Sequence, residues 1–470
     1  MSSKVLLISA NRCTTPDPVF PLGLACLNAA LRRAGHQTFW VDLLGSSGRL
    51  EEVLRWYGPD MVGVSLRNID DVLIRKKETY YGELLSLSET IRQYGRCRFV
   101  LGGSGFSLFP KRLLELSGAD FGIVGEGENS LVALIAALEK GEDYRHIPGL
   151  VFRRQDSVLV NGSAGGRAMD SEFSLADRPA DIIAHYIRAT GVLNLQTQRG
   201  CGWRCSYCTY PLIEGRQHRR RPPEQVAAEF QQLQRLGAKY VFIVDSIFNS
   251  SAGHVRDICE ALLRQNAKLP WGCFLRPQGL TPDLMDLMAR AGLRHIEFGS
   301  DSFSDDVLAA YQKGLSFEDI LRSSNQARRA GVDFCHFLIC GGPGETRETL
   351  RQTYLNSLQI EGAPIVAVVG MRIYPGTDLF ERARREGQVN GETDLLAPVY
   401  YMAKGLTPEF VFAELEGFAR QSPNWIVGDP SPAYTRMVER LRQRGVPGPL
   451  WSYFAALQRI GPSHFAEARP

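Results

Sequence analysis

The sequence predicts an α/β protein in which a doubly wound parallel-sheet domain is followed by an open βα barrel and a small, mainly helical C-terminal segment. Three observations predict it. Short apolar runs alternate with stretches of helical periodicity almost from the first residue to about 373, the pattern of parallel strands covered on both faces. The rhythm breaks once, at a Gly/Ser/Ala stretch over 162–167, which reads as a linker. The chain has 470 residues, more than one core usually holds. The expected division is 1–140 for the first domain, 141–186 for a hairpin and linker, 187–385 for the barrel and 386–470 for a C-terminal segment that caps it.

Composition narrows the class. Hydrophobic residues make up 44% and charged residues 22% of the chain, and no apolar run reaches membrane-spanning length, so a water-soluble globular protein without an integral membrane segment is expected. Ten cysteines, three of them clustered, suit a reducing compartment better than a disulfide framework. The N-terminus runs directly into a strand without signal-peptide architecture, which reads as cytoplasmic. A net charge of +3 gives no case for a nucleic-acid partner, and the basic run Arg216–Arg221 is short.

In the first domain, strands are expected at Lys4–Ser9, Thr38–Asp42, Met61–Ser65, Arg98–Gly103 and Phe121–Val124. Helices are expected over Leu22–Ala34, Leu50–Tyr57, Thr79–Tyr94 and Ser130–Leu138. Ligands of such sheets bind outside the carboxyl ends of the strands, which singles out the loops Asn11–Phe20, Leu66–Asp71, Gly102–Ser107 and Gly125–Glu128. A hairpin of Gly149–Arg154 and Ser157–Asn161 follows. The second unit then offers strands at Val192–Thr197, Tyr240–Val244, Trp271–Leu275, His295–Gly299, Phe334–Ile339 and Ile365–Ile373, separated by amphipathic helices. Six such units are too few to close an eight-stranded barrel.

The first of these strands leads into Arg199-Gly-Cys-Gly-Trp-Arg-Cys-Ser-Tyr-Cys208. Its C-x3-C-x2-C spacing lets Cys201, Cys205 and Cys208 turn around one face of a cubane cluster. No fourth cysteine lies nearby, because Cys259, Cys273, Cys335 and Cys340 are far downstream in apolar runs. One iron is left open to bind a ligand directly.

This motif resembles the radical S-adenosylmethionine (SAM) superfamily, whose partial (β/α)6 barrel the six strand–helix units also match. The resemblance implies a [4Fe-4S] cluster on Cys201, Cys205 and Cys208 that cleaves SAM reductively to a 5′-deoxyadenosyl radical. It places Tyr207 near the adenine, Asp245 near the methionyl amine and Arg276 near the SAM carboxylate. Glu297, with Ser300 behind it, resembles the acid that binds the ribose. Gly341 and Gly342 in Ile339-Cys-Gly-Gly-Pro-Gly resemble the adenine-binding turn, and Arg372 and Tyr374 stand at the end of the sixth strand.

The N-terminal loops resemble the cobalamin (B12)-binding domain that precedes the barrel in one class of radical SAM enzymes. The matching positions are Ser65, Leu66, Arg67 and Asn68, then Gly102, Gly103, Ser104 and Ser107, then Gly125 and Glu126. The loop Asn11–Asp17 lacks D-x-H-x-x-G, so no histidine is offered to cobalt. The class resemblance implies a cobalamin-dependent C-methyltransferase that moves a methyl group from methylcobalamin to an unactivated carbon. Cyclisation or rearrangement with the same cofactors is the alternative, and a non-catalytic corrinoid or electron carrier is a third. The expected partners are a small-molecule or lipid substrate and an external electron donor such as flavodoxin or ferredoxin. Tyr400, Tyr401, Trp425 and Trp451 are candidate substrate contacts.

Overall fold

The computed structural model describes residues 2–14, 17–45, 50–162, 178–428, 436, 440–441 and 448–453. The sequence also predicts C-terminal helices over 408–421 and 432–444; the second of these and the linker stretch 162–167 lie largely outside the described residues.

The first sheet contains β1 (Lys4–Ser9), β2 (Gln37–Asp42), β3 (Met61–Ser65), β4 (Arg98–Gly102), β5 (Phe121–Ile123), β6 (Leu150–Arg154) and β7 (Ser157–Val160). Its order is β2-β1-β3-β4-β5-β6-β7, parallel as far as β5, with the hairpin β6–β7 added antiparallel. Val5, Leu6, Leu7 and Ile8 are all fully buried, as helices on both faces require, so these strands show no alternation of polar and apolar residues. Two short helices after β4, Ser104–Leu108 and Pro110–Ser117, escape the periodicity reading. The second starts on Pro110 and closes on Gly118 at φ +66°, where a residue without Cβ costs least.

The second sheet is β8 (Val192–Leu195), β9 (Tyr240–Ile243), β10 (Trp271–Leu275), β11 (Leu293–Asp301), β12 (Asp333–Cys340) and β13 (Ile365–Val369), paired in chain order and all parallel. A seventh parallel strand, β14 (Trp425–Val427), joins beyond β13. The C-terminal segment therefore contributes a strand to the barrel sheet as well as the expected helix, Pro408–Gln421. Trp425 is spent on this packing: it is buried, donates to Ser357 Oγ at 3.1 Å and lies against Phe418.

The two sheets are tied together by buried polar contacts. Tyr186 donates to Asp42 Oδ2 at 2.7 Å, Asn194 Nδ2 donates to the carbonyl of Phe20 at 2.8 Å, and Arg372 Nε meets Asp70 Oδ2 at 2.8 Å. Among the described residues no helix is long and apolar enough to cross a membrane.

Candidate active site between the two sheets

One cavity of about 2140 Å³ lies between the carboxyl ends of β1, β3 and β4 and the barrel. It is larger than the roughly 300–1,000 Å³ of an ordinary small-molecule pocket, so it has room for more than one ligand. Ser65, Arg67, Asn68, Gly102, Gly103, Ser104, Gly125 and Glu126 line it from the first domain, and Glu297, Phe337, Val366, Val368, Tyr374 and Trp451 from the barrel side.

The cysteine loop is fixed from several directions. Gly200 has φ +90°, and a Cβ there would stand 2.1 Å from the carbonyl oxygen of Gln217, so glycine is required. The Cys201 amide donates to the Gly215 carbonyl at 3.0 Å, the Ser206 amide to the Tyr311 carbonyl at 3.0 Å, and the Leu379 amide to the Ser206 carbonyl at 2.8 Å. Asp245, expected beside the SAM amine, is committed elsewhere. It accepts from the Thr197 amide at 2.6 Å, the Thr197 hydroxyl at 2.5 Å and the Gln198 amide at 3.2 Å, so it anchors the strand that enters the loop.

The loop's chemistry fits a cluster. Burial raises the Cys205 thiol, with smaller contributions from nearby charges, and pushes Cys208 up to about 12, an effect to which the neighbouring cysteines add. Two thiols disfavoured as thiolates in this way call for cationic metal as the compensating charge. Among the described residues no three His, Cys, Asp or Glu side chains converge on a single ion. Thiolates on separate irons of a cubane stand further apart than ligands of one ion. Beside the loop, Arg276 packs its guanidinium 3.8 Å from the Trp203 ring centre, and its Nη2 is buried with no hydrogen-bond partner. That orphaned donor fits an anionic group on a ligand at the open iron.

The sequence reading missed Asp301. It ends β11 at φ +64°, accepts from the Tyr207 hydroxyl and pairs with Lys313 Nζ at 2.8 Å. This buried triad sits within electrostatic range of Cys205. The positive φ at a strand end, with Lys313 twelve residues on, is the only local sign of it.

Glu297, Ser300, Gly341, Gly342, Arg372 and Tyr374 do not gather at one place. Glu297 lies four residues before Asp301, about 13 Å along the strand, and its Oε1 accepts from Trp451 Nε1 at 3.0 Å. Ser300 turns to the outer face, where its hydroxyl meets His336 Nδ1 at 2.7 Å. Gly341 is packed against Met402, and its amide donates to Glu345 at 2.7 Å; Gly342 is packed against Tyr311. Arg372 is consumed by Asp70 and by the carbonyls of Ile373 and Leu395. Tyr374 alone of the last pair reaches the cavity.

The N-terminal loops form a cradle. A Cβ on Gly103, at φ +98°, would stand 2.4 Å from the Leu66 carbonyl oxygen, so backbone here approaches backbone as closely as glycine allows. Ser104 donates to the Arg67 carbonyl at 2.7 Å, and Ser107 accepts from the Gly125 amide at 2.9 Å. Ser107 thus stitches two loops together and does not line the cavity. Leu66 is buried in the domain core and is likewise absent from the lining, against expectation. Arg67 stands in the cavity with its own surface open although protein surrounds it, and burial lowers its pKa. No histidine lines the cavity among the described residues. Burial works to raise the Glu126 carboxyl, but Arg219 and Arg199 hold it below its usual range. Arg199 also reaches Glu128 at 2.8 Å, so the cradle is ion-paired to the strand that carries the cysteines.

Residues 195–355 match the radical SAM superfamily and residues 9–135 match the B12 binding domain. The chain is a B12-binding radical SAM enzyme. Its cofactors are a [4Fe-4S] cluster, SAM and cobalamin, and its curated relatives include both methyltransferases and cyclases. Tryptophan 2-C-methyltransferase of Streptomyces laurentii is 25% identical over 438 residues, spanning 79% of this chain and 73% of that protein. Hopanoid C-3 methylase of Methylococcus capsulatus is 26% identical over 396 residues, spanning 80% and 72%. The radical SAM methyltransferase TsrM of Kitasatospora setae, solved with tryptophan substrate and the SAM analogue aza-SAM, shares the fold with a TM-score of 0.87 at 24% identity over 100% of both chains.

Proposed function

We propose that this B12-binding radical SAM enzyme methylates an unactivated carbon of a small molecule held in the shared cavity. When bound, the cluster delivers the electron for reductive SAM cleavage, and the corrinoid carries the methyl group. Cys201, Cys205 and Cys208 hold the cluster; Arg276 offers its unpaired Nη2 to the SAM carboxylate, and the Tyr207–Asp301–Lys313 triad shapes the wall beside it. Ser65, Arg67, Asn68, the turn Gly102–Ser104 and Gly125 hold the corrinoid. Arg67 stays protonated and offers cobalt no lone pair. Residues 1–140 and 187–385 serve as the corrinoid and SAM units, and a one-electron donor such as flavodoxin or ferredoxin supplies the reducing equivalent.

The observation that carries the reading is the single cavity running from Arg67 and Gly103 to Glu297 and Phe337. A methyl donor on one wall and a substrate on the other share one space, as transfer between them requires. The test is anaerobic incubation of the cluster- and cobalamin-loaded enzyme with SAM and titanium(III) citrate. Formation of S-adenosylhomocysteine marks methyl transfer; SAM cleaved to 5′-deoxyadenosine alone would point to a cyclase or rearrangement enzyme.

A further inference from the structure

We propose that the barrel lumen receives the amine end of a compact apolar substrate and that Glu297 recognises its ammonium group. The proposal rests on the methyltransferase reading and names the substrate class for that site.

Strand alternation puts His295, Glu297 and Gly299 on one face of β11. Beside Glu297, a Cβ on Gly299 would meet nothing within 4 Å, so the strand leaves open room there. Val244, Phe337, Val366 and Val368 line this end of the cavity, and they suit an aromatic or aliphatic body. Trp451 closes it: the indole is buried, lies edge-on to His295 with ring centres 5.7 Å apart, and donates to Glu297 Oε1. Oε2 has no hydrogen-bond donor among the described residues, although Glu297 is only 9% exposed.

A carboxylate with one hydrogen bond in an apolar lumen is costly unless something compensates its charge. Among the described residues no basic side chain supplies that charge at Glu297. Every basic side chain lining the cavity (Arg12, Arg67, Lys76 and Arg199) belongs to the first domain or to the strand entering the cysteine loop. Asp17, which also lines the cavity, adds negative charge instead, and with burial it pushes the Glu297 carboxyl up to about 7. A metal ion is a poor complement, because no third ligand converges there among the described residues. An ammonium group provides both the charge and the donor that Oε2 lacks.

The experiment is calorimetric titration, at pH 8 under anaerobic conditions, of the enzyme loaded with cluster and cobalamin. Two matched pairs serve as probes: 2-phenylethylamine against 2-phenylethanol, and tryptamine against tryptophol. At least one amine should bind tenfold or more tighter than its alcohol. Glu297→Gln should erase that preference while leaving the SAM dissociation constant within twofold. Equal affinity within both pairs, or no binding of any probe, overturns the proposal; so does a Gln variant that loses SAM affinity and keeps the amine preference, which would give Glu297 to the ribose. The wild-type comparison decides even if the variant fails to fold. Failure of the methyltransferase reading is seen separately, as absence of S-adenosylhomocysteine without any probe.

Discussion

Cys201, Cys205 and Cys208 share a loop in which burial disfavours the thiolates of Cys205 and Cys208, so each ligand should matter to assembly as well as to turnover. Any single Ala variant should reconstitute with fewer than the four irons of a cubane and produce no 5′-deoxyadenosine. A variant that keeps four irons and still cleaves SAM would show that another group is the ligand. Glu297 gives a second prediction, of the opposite sign for stability. Its folded carboxyl, raised from 4.5 to about 7 mainly by burial, holds its proton longer than the unfolded chain does. Wild-type stability from this group is therefore present at low pH and is lost as pH rises from about 4.5 to 7. Glu297→Gln removes that loss, and Gln can still accept from Trp451. The ligand-free variant should match wild type near pH 4.5 and gain stability above pH 7, up to a ceiling of about 3 kcal/mol, measured by urea unfolding at both pH values. A destabilised variant at pH 8 would mean that the ionised carboxylate is already compensated by the protein. These residues also show what local sequence conveys. The cysteine loop was legible because its spacing alone brings three thiols into one turn of chain. Ser300 was misplaced because it lies an odd number of residues from Glu297, hence on the other strand face. Asp301 was missed because its partners, Tyr207 and Lys313, reach it only through the fold.

Elements of regular structure were the most legible part of the chain, since burial on both faces leaves unbroken apolar runs with turns between them. The exceptions are instructive: Ser104–Leu108 and Pro110–Ser117 are too short to display a period, and β14 has only three residues. The turns depend instead on backbone contacts that composition hints at and distances explain. Gly103 is the clearest, with positive φ and a carbonyl 2.4 Å from where Cβ would lie. Gly103→Ala should therefore displace the Leu66–Asn68 loop and reduce the cobalamin retained after reconstitution by at least half, read from the corrinoid absorbance per mole of protein. Gly82→Ala is the control. It sits in the helix Tyr81–Tyr94, where a Cβ meets nothing within 4 Å, and should leave loading unchanged while matching or slightly exceeding wild-type stability. Equal loading in both variants would detach the Gly103 turn from corrinoid binding.

At the scale of the whole molecule, the cavity exists only while its two walls keep their distance, so the contacts joining the sheets bear on function although none touches the reacting atoms. The loop after β3 is fastened twice to the C-terminal half. Arg75 lies over Phe412, 3.4 Å from the ring centre, and pairs at the surface with Glu416, a contact of modest worth in water. Asp70 and Arg372 form the stronger link, with side chains 0% and 4% exposed. Arg372 also lies 4.8 Å from the ring centre of Tyr374, a cavity-lining residue. Removing one charge from such a pair strands the other in a medium that solvates it poorly, whereas removing both can be nearly neutral. Asp70→Asn should thus cost about 3–5 kcal/mol in urea unfolding at pH 7, and Asp70→Asn with Arg372→Met should recover most of it. The single variant should also lose methyl transfer more than iron content, because the cysteine loop is built from barrel contacts that do not involve Asp70. A single-variant cost below about 1 kcal/mol, the value of a surface pair, would show that the walls are held elsewhere, with the Arg199 bridge to Glu126 and Glu128 as the next link to break.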